Sequence, residues 1–143
     1  MKTTNAGVKL GAYATEQAAA LLGRFAFELR KTAKSTDPDA IHDLRVSIRR
    51  LTQCLKTFSQ CFPAGGARKI RRRLRTLMDL SAEVRNRDIA LVLVKQAGIP
   101  SESSLHRRLA DERKQTEKEL TVALNRWRKR ELSRKWRLRL GLG

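Results

Sequence analysis

Apolar residues recur every three or four positions through most of the chain, the spacing of an amphipathic helix rather than of a strand. Leu10, Ala14, Ala18, Leu21, Phe25 and Leu29 set this rhythm for a first helix over 8–34, after a lead-in at 1–7 that reads as flexible. Ser35-Thr36-Asp37-Pro38 ends it and starts the next: Asp37 is a suitable N-cap, Pro38 suits the first helical position, and Asp39 complements the positive end of the helix dipole. The second helix is predicted over 38–62 with Leu44, Ile48, Leu51, Leu55, Phe58 and Phe62 as its apolar stripe. Pro63-Ala64-Gly65-Gly66 breaks the pattern, and Ile70, Leu74, Leu77, Ser81, Val84, Asp88 and Leu91 carry a third helix over 67–96. The short apolar run at 90–94 continues that helix without a breaker. After Gly98-Ile99-Pro100-Ser101, either Ser101 or Ser103 caps a last helix over 102–139. Four helices on short connections predict an all-α, antiparallel four-helix bundle with up-down-up-down order, and 143 residues fit one domain spanning 1–143.

The polar positions are less ordinary than the apolar ones. At 100° per residue, His42, Arg45 and Arg49 fall within about 60° of one another, opposite Leu44, Ile48 and Leu51. Lys56 returns to the same basic stripe, with Gln53 beside it, and no carboxylate interrupts the stripe between Arg45 and Lys56. In the third helix six of the eight residues from Arg68 to Arg75 are basic, and Arg68, Arg71, Arg72 and Arg75 oppose the core stripe, where the plain reading is a solvated face. Arg85 instead falls near the apolar stripe, one turn before Asp88. Either a partly buried Arg85–Asp88 pair ties the bundle together, or Arg85 lines a cavity that receives an anion.

Composition sharpens this. The chain is 41% hydrophobic and 32% charged, which suits a globular core, but 32 basic residues against 14 acidic give a net charge of +18. Such an excess repels itself in a compact fold and points to a polyanionic partner. Arginine outnumbers lysine 21 to 11, and its planar fork pairs bidentately with phosphate oxygens. No metal-ligand spacing occurs, and Cys54 and Cys61, two helical turns apart, are expected to remain thiols. No signal peptide or transmembrane span is evident, so the cytoplasm is the expected compartment. The acids are scattered and no nucleophile is activated, so no catalysis, metal or cofactor is expected.

The stretch IHDLRVSIRRL, residues 41–51, resembles the signature of the CHAD family, the conserved histidine α-helical domains. RRRLRTLMDLSAEVRNRDIALVL is similar to that family's basic helix with its Arg-Asp-x-Asp element, here Arg85-Asn86-Arg87-Asp88 with Asn86 in place of the first acid. The likeness covers about 37–94. It implies a helical bundle that binds inorganic polyphosphate without catalysis. On this reading the site holds His42, Arg45, Arg49 and Arg50 from the histidine motif and Arg72, Arg73 and Arg85 from the third helix; Lys56 and Arg75 join them from the basic stripes. The free N–H groups at the start of the second helix are expected to add to the field. CHAD domains generally pair two such bundles and this chain carries one motif, so either one bundle suffices or two copies associate; a homodimer rebuilding the second half is the expectation, with Trp127 and Trp136 near its basic C-terminal face. The implied location extends to polyphosphate granules. The alternative reading is a nucleic-acid-binding basic helical protein.

Overall fold

A computed structural model describes residues 5–142, and every regular element among them is helical. Helix α1 spans Asn5–Lys34, α2 Pro38–Thr57, α3 Ala64–Gln96, α4 Ser104–Lys129 and α5 Leu132–Arg139; a 3-10 turn at Ser59–Cys61 follows α2. Of the lead-in expected to be flexible, residues 5–7 are helical, and 1–4 lie outside the described residues.

The punctuation works through identifiable bonds. Asp37 accepts the Ala40 N–H at 2.8 Å to cap α2, and Ser103 accepts the His106 N–H at 3.2 Å to cap α4. The bond from Ala40, reinforced by Ser35, holds the Asp37 carboxyl below its ordinary range. Helix α2 stops at Thr57, short of Phe62, because Phe58 leaves helical geometry at φ −107° and the chain tightens into the 3-10 turn. Phe62 is nevertheless buried, and Pro63 precedes the first residue of α3, so that Gly65 and Gly66 are helical rather than part of a turn.

The largest departure concerns the last helix, expected as one element over 102–139. It breaks at Glu131, which adopts φ 48°, ψ 47°, a left-handed conformation that separates α4 from α5. The physical reason lies in the core. Trp136 reaches back to stack on Phe25 with centroids 5.8 Å apart and meets Trp127 edge-on at 5.4 Å. A continuous helix would carry Trp136 away from Phe25. The two tryptophans therefore belong to the interior, Trp136 wholly and Trp127 in part, and lie beside the C-terminal basic residues as packed core rather than as an exposed apolar face. Burial of Leu140 and Leu142 completes the attachment of α5. At Gly66 a Cβ atom would lie 2.9 Å from the Arg139 carbonyl oxygen, so this glycine lets the end of α5 rest against the start of α3.

Neighbours in sequence are neighbours in space: α1 packs on α2, α2 on α3 and α3 on α4, while α4 returns to α1. Tyr13 meets Phe58 and Lys31 bonds Asp43, so α1 and α2 run in opposite directions. The Lys31 contact lowers the Asp43 pKa, and Lys31 is held up in turn by Asp43 and Glu28. The core uses most of the stripe positions that the rhythm marks, with Leu44, Ile48 and Leu51 each no more than 1% exposed, but in α1 Leu10 is exposed and Leu22 is buried more fully than Leu21.

Near the end of α1, Arg113 gathers three elements. It donates to Asp88 of α3 at 3.0 Å through Nε, to Glu117 through Nη1 and to the Thr36 carbonyl through Nη2, both at 2.6 Å. Thr36 closes the ring by donating to Glu117 at 2.6 Å. Since Thr36 follows α1, the parts of α3 after Asp88 and of α4 before Arg113 run past this level. There Ile89, Val92, Leu93 and Leu105 are exposed.

Candidate functional site

Between α2 and α3 lies an open cleft of about 500 Å³. Its wall from α2 carries Arg49 and Lys56; its wall from α3 carries Arg68, Arg71, Arg72 and Arg75. Ile48 and Met78 supply apolar floor, and no carboxylate lines it. The placement follows from periodicity. Positions 49 and 56 are two turns apart on α2, and 68, 71, 72 and 75 form a three-four set on α3 whose opposite face, with Ile70, Leu74 and Leu77, is buried. Six cations facing across a concave surface raise the local potential far above that of the same charges dispersed over a convex one. Arg71 is half-buried and its Nε–H is buried without an acceptor among the described residues. A buried donor left unbonded costs about 1–3 kcal/mol, which an anion in the cleft would offset.

Arg45 has a different occupation. Its Nη1 donates to the Met78 carbonyl and to Ser81 Oγ, both at 2.9 Å, so this side chain struts α2 against α3. Burial lowers its pKa from the ordinary arginine value, and the positive charges of Arg49 and Arg85 lower it further against a smaller opposing effect of Asp79. Neither Arg45 nor Arg85 is among the residues that line the cleft. Arg85 is half-buried and makes no hydrogen bond or ion pair among the described residues. The Arg85–Asp88 pair is therefore not formed. Asp88 is taken by Arg113 across the α3–α4 contact, and Arg87 faces Glu83 and Glu112.

Of the remaining expected positions, His42 is exposed on α2, one turn before Arg45, and outside the lining of the cleft. Arg50 is exposed and also outside it. Arg73 lies on another flank of α3, in a smaller cleft with Arg130 and Arg139. At the start of α2 the Asp37 cap takes the Ala40 N–H, and Asp39 lies in the first turn. Thus the cleft gathers Arg49, Lys56, Arg72 and Arg75, leaves His42, Arg45 and Arg85 outside its lining, and separates Arg50 and Arg73. It adds Arg68 and Arg71, which the helical wheel had set on the same face as Arg72 and Arg75 but which read as solvated until α2 supplied an opposite wall.

Cys54 and Cys61 are free thiols, and burial raises the pKa of Cys54. Among the described residues no group of three or more His, Cys, Asp or Glu is placed to hold a metal ion, and no helix is long and apolar enough to cross a membrane.

Neither curated proteins nor solved structures provide a match to the chain. The family model of the CHAD domain, however, matches residues 12–142. That span reaches beyond the 37–94 likeness to include most of α1 and the whole of α4 and α5. The chain belongs to the CHAD family.

Proposed function

We propose that this protein binds inorganic polyphosphate, without catalysis, in the cleft between α2 and α3. The observation that carries the reading is the lining itself, six cations from two helices and no carboxylate. The CHAD family is associated with polyphosphate binding, which fits this chemistry. Arg49, Arg68, Arg71, Arg72 and Arg75 take successive phosphate oxygens with Lys56 as a point charge, and released counterions supply much of the affinity. Arg85 and His42 extend the basic path toward the start of α2, with Arg45 holding the two walls at their spacing. Arg50 and Arg73 lie outside this path.

The four long helices act as one antiparallel unit, half of the usual two-bundle CHAD arrangement, with α5 as a brace. Two copies associate to give a second bundle. Support for this comes from the exposed apolar residues Ile89, Val92, Leu93 and Leu105 at the far end of the α3–α4 pair, rather than from the tryptophans. Sedimentation at micromolar concentration is expected to show a dimer that Val92→Glu/Leu93→Glu dissociates; a monomer at that concentration contradicts it. The cytoplasm and its polyphosphate granules are the proposed location.

A thermal scan tests the binding. Ligand at 100 times its Kd stabilises the native state by about 2.7 kcal/mol, which for a chain of this size raises Tm by roughly 5–10 °C. Long-chain polyphosphate is expected to produce such a rise, larger than RNA or duplex DNA at equal phosphate and salt. An unchanged Tm contradicts the proposal.

A further inference from the structure

The cations of α3 divide between two flanks. Arg68, Arg71, Arg72 and Arg75 face the α2 cleft, but Arg73 faces α5. There it joins Arg130, Lys135 and Arg139 around a second cleft of about 200 Å³, floored by Leu132 and Trp136 and lined by no carboxylate. Four like charges at one concavity repel one another, and no acid of the lining relieves them. The helix that carries two of them is nevertheless held in place. The stack of Trp136 on Phe25, its contact with Trp127 and the approach of Arg139 to Gly66 fix α5 beside α3. With the backbones already side by side, only the side chains have to be ordered when a ligand arrives.

We infer that this second cleft, formed by Arg73, Arg130, Lys135 and Arg139, is an additional phosphate-binding site for the same linear polyphosphate, and that a sufficiently long chain crosses α3 to occupy both flanks. The inference rests on the α2–α3 reading above and deepens it. Since a helix with its side chains is about 10–12 Å across, a short oligomer fills one cleft and only a longer one reaches the other. Joining the two contacts on one ligand makes the second intramolecular, so affinity rises with chain length beyond simple site counting.

The two tryptophans give this cleft its own signal. Trp127 and Trp136 are the only tryptophans in the sequence, and both belong to the aromatic stack beneath α5 rather than to the α2–α3 cleft. The full chain is titrated with linear inorganic polyphosphate of short and long defined lengths. Tryptophan emission is recorded beside equilibrium dialysis, which counts all bound ligand. Long chains are expected to change the emission saturably. Arg130→Gln/Lys135→Gln/Arg139→Gln, at three exposed positions, is expected to suppress that change and to flatten the log–log salt slope of long-chain binding by about 2 to 3, by analogy with nucleic-acid counterion release. The single exposed variant Lys135→Glu is expected to weaken the emission response in the same direction, with a far-ultraviolet spectrum confirming its fold.

Binding in dialysis that leaves the emission unchanged and is indifferent to the triple substitution overturns the second cleft alone. No binding in dialysis overturns the α2–α3 reading with it. RNA that competes at lower phosphate concentration than polyphosphate overturns the ligand class.

Discussion

Replacing Arg113 by alanine is expected to lower the stability of the fold by about 3–5 kcal/mol, the usual loss when one member of a buried ion pair is removed. Arg113 and Asp88 retain only 16% and 11% side-chain exposure, and Arg113 also binds Glu117 and the Thr36 carbonyl. The substitution leaves the Asp88 carboxylate without its cation in a half-dry environment. The Oδ2 atom of Asp88 is already buried with no hydrogen-bond partner among the described residues, so no second donor stands ready. For a chain of this size the Tm falls by on the order of 10 °C. Arg113→Ala combined with Asp88→Ala is expected to recover part of the loss, because the orphaned charge is gone. A single variant that melts within 2 °C of the parent would show that the Thr36–Asp88–Arg113–Glu117 ring adds little.

The second large effect concerns ligand. Arg49→Ala/Arg71→Ala/Arg72→Ala removes three of the six cations of the α2–α3 cleft. A fully formed hydrogen bond to a charged group contributes about 1.5–3 kcal/mol, and solvent screening leaves a fraction of this at an open surface. The combined loss is expected to be about 100-fold in polyphosphate affinity, or ~2.8 kcal/mol. Arg107→Ala/Lys114→Ala/Lys118→Ala removes the same charge from exposed positions on α4 and is expected to weaken binding less than 5-fold, measured side by side at one ionic strength. Equal losses in the two triples would mean that bulk charge alone governs affinity. Arg45 is a poor choice for this experiment, since its bonds to Met78 and Ser81 make any substitution a change in the walls as well as in the charge.

The residues explain what could be read in advance. The three-four rhythm placed most core positions of α1, α2 and α3 because burial of one face dominates the choice of secondary structure. Asp37-Pro38 marked a boundary through local bonding, which a sequence displays directly. Features that depend on distant partners were hidden. Glu131 takes a left-handed conformation with no glycine or proline to announce the break; the pull of Trp136 toward Phe25, more than a hundred residues earlier, is what sets it. Asp88 chose Arg113 from another helix over Arg85 one turn away for the same reason.

The candidate site was legible in kind and less so in membership. Periodicity put Arg49 and Lys56 on one stripe and Arg68, Arg71, Arg72 and Arg75 on another, but only the facing of α2 and α3 converts two solvated stripes into a cleft. The family resemblance puts Arg73 with Arg72, but one residue is 100° of helix and carries Arg73 to the α5 flank. Arg45 is expected at the site both from the basic stripe and from the histidine motif. Its length also allows it to reach the α3 backbone, a partner that a sequence cannot show.

If the cations of the α2–α3 cleft bind phosphate together, the salt dependence of binding counts them. Isothermal titration of the intact protein with long-chain polyphosphate at a series of salt concentrations measures how many take part. Six engaged cations give a log–log slope of about −4 or steeper if each contributes about 0.7–0.9, as for nucleic acids. A saturable isotherm with that slope is the expected result; no saturable heat, or a slope flatter than about −2, would contradict it.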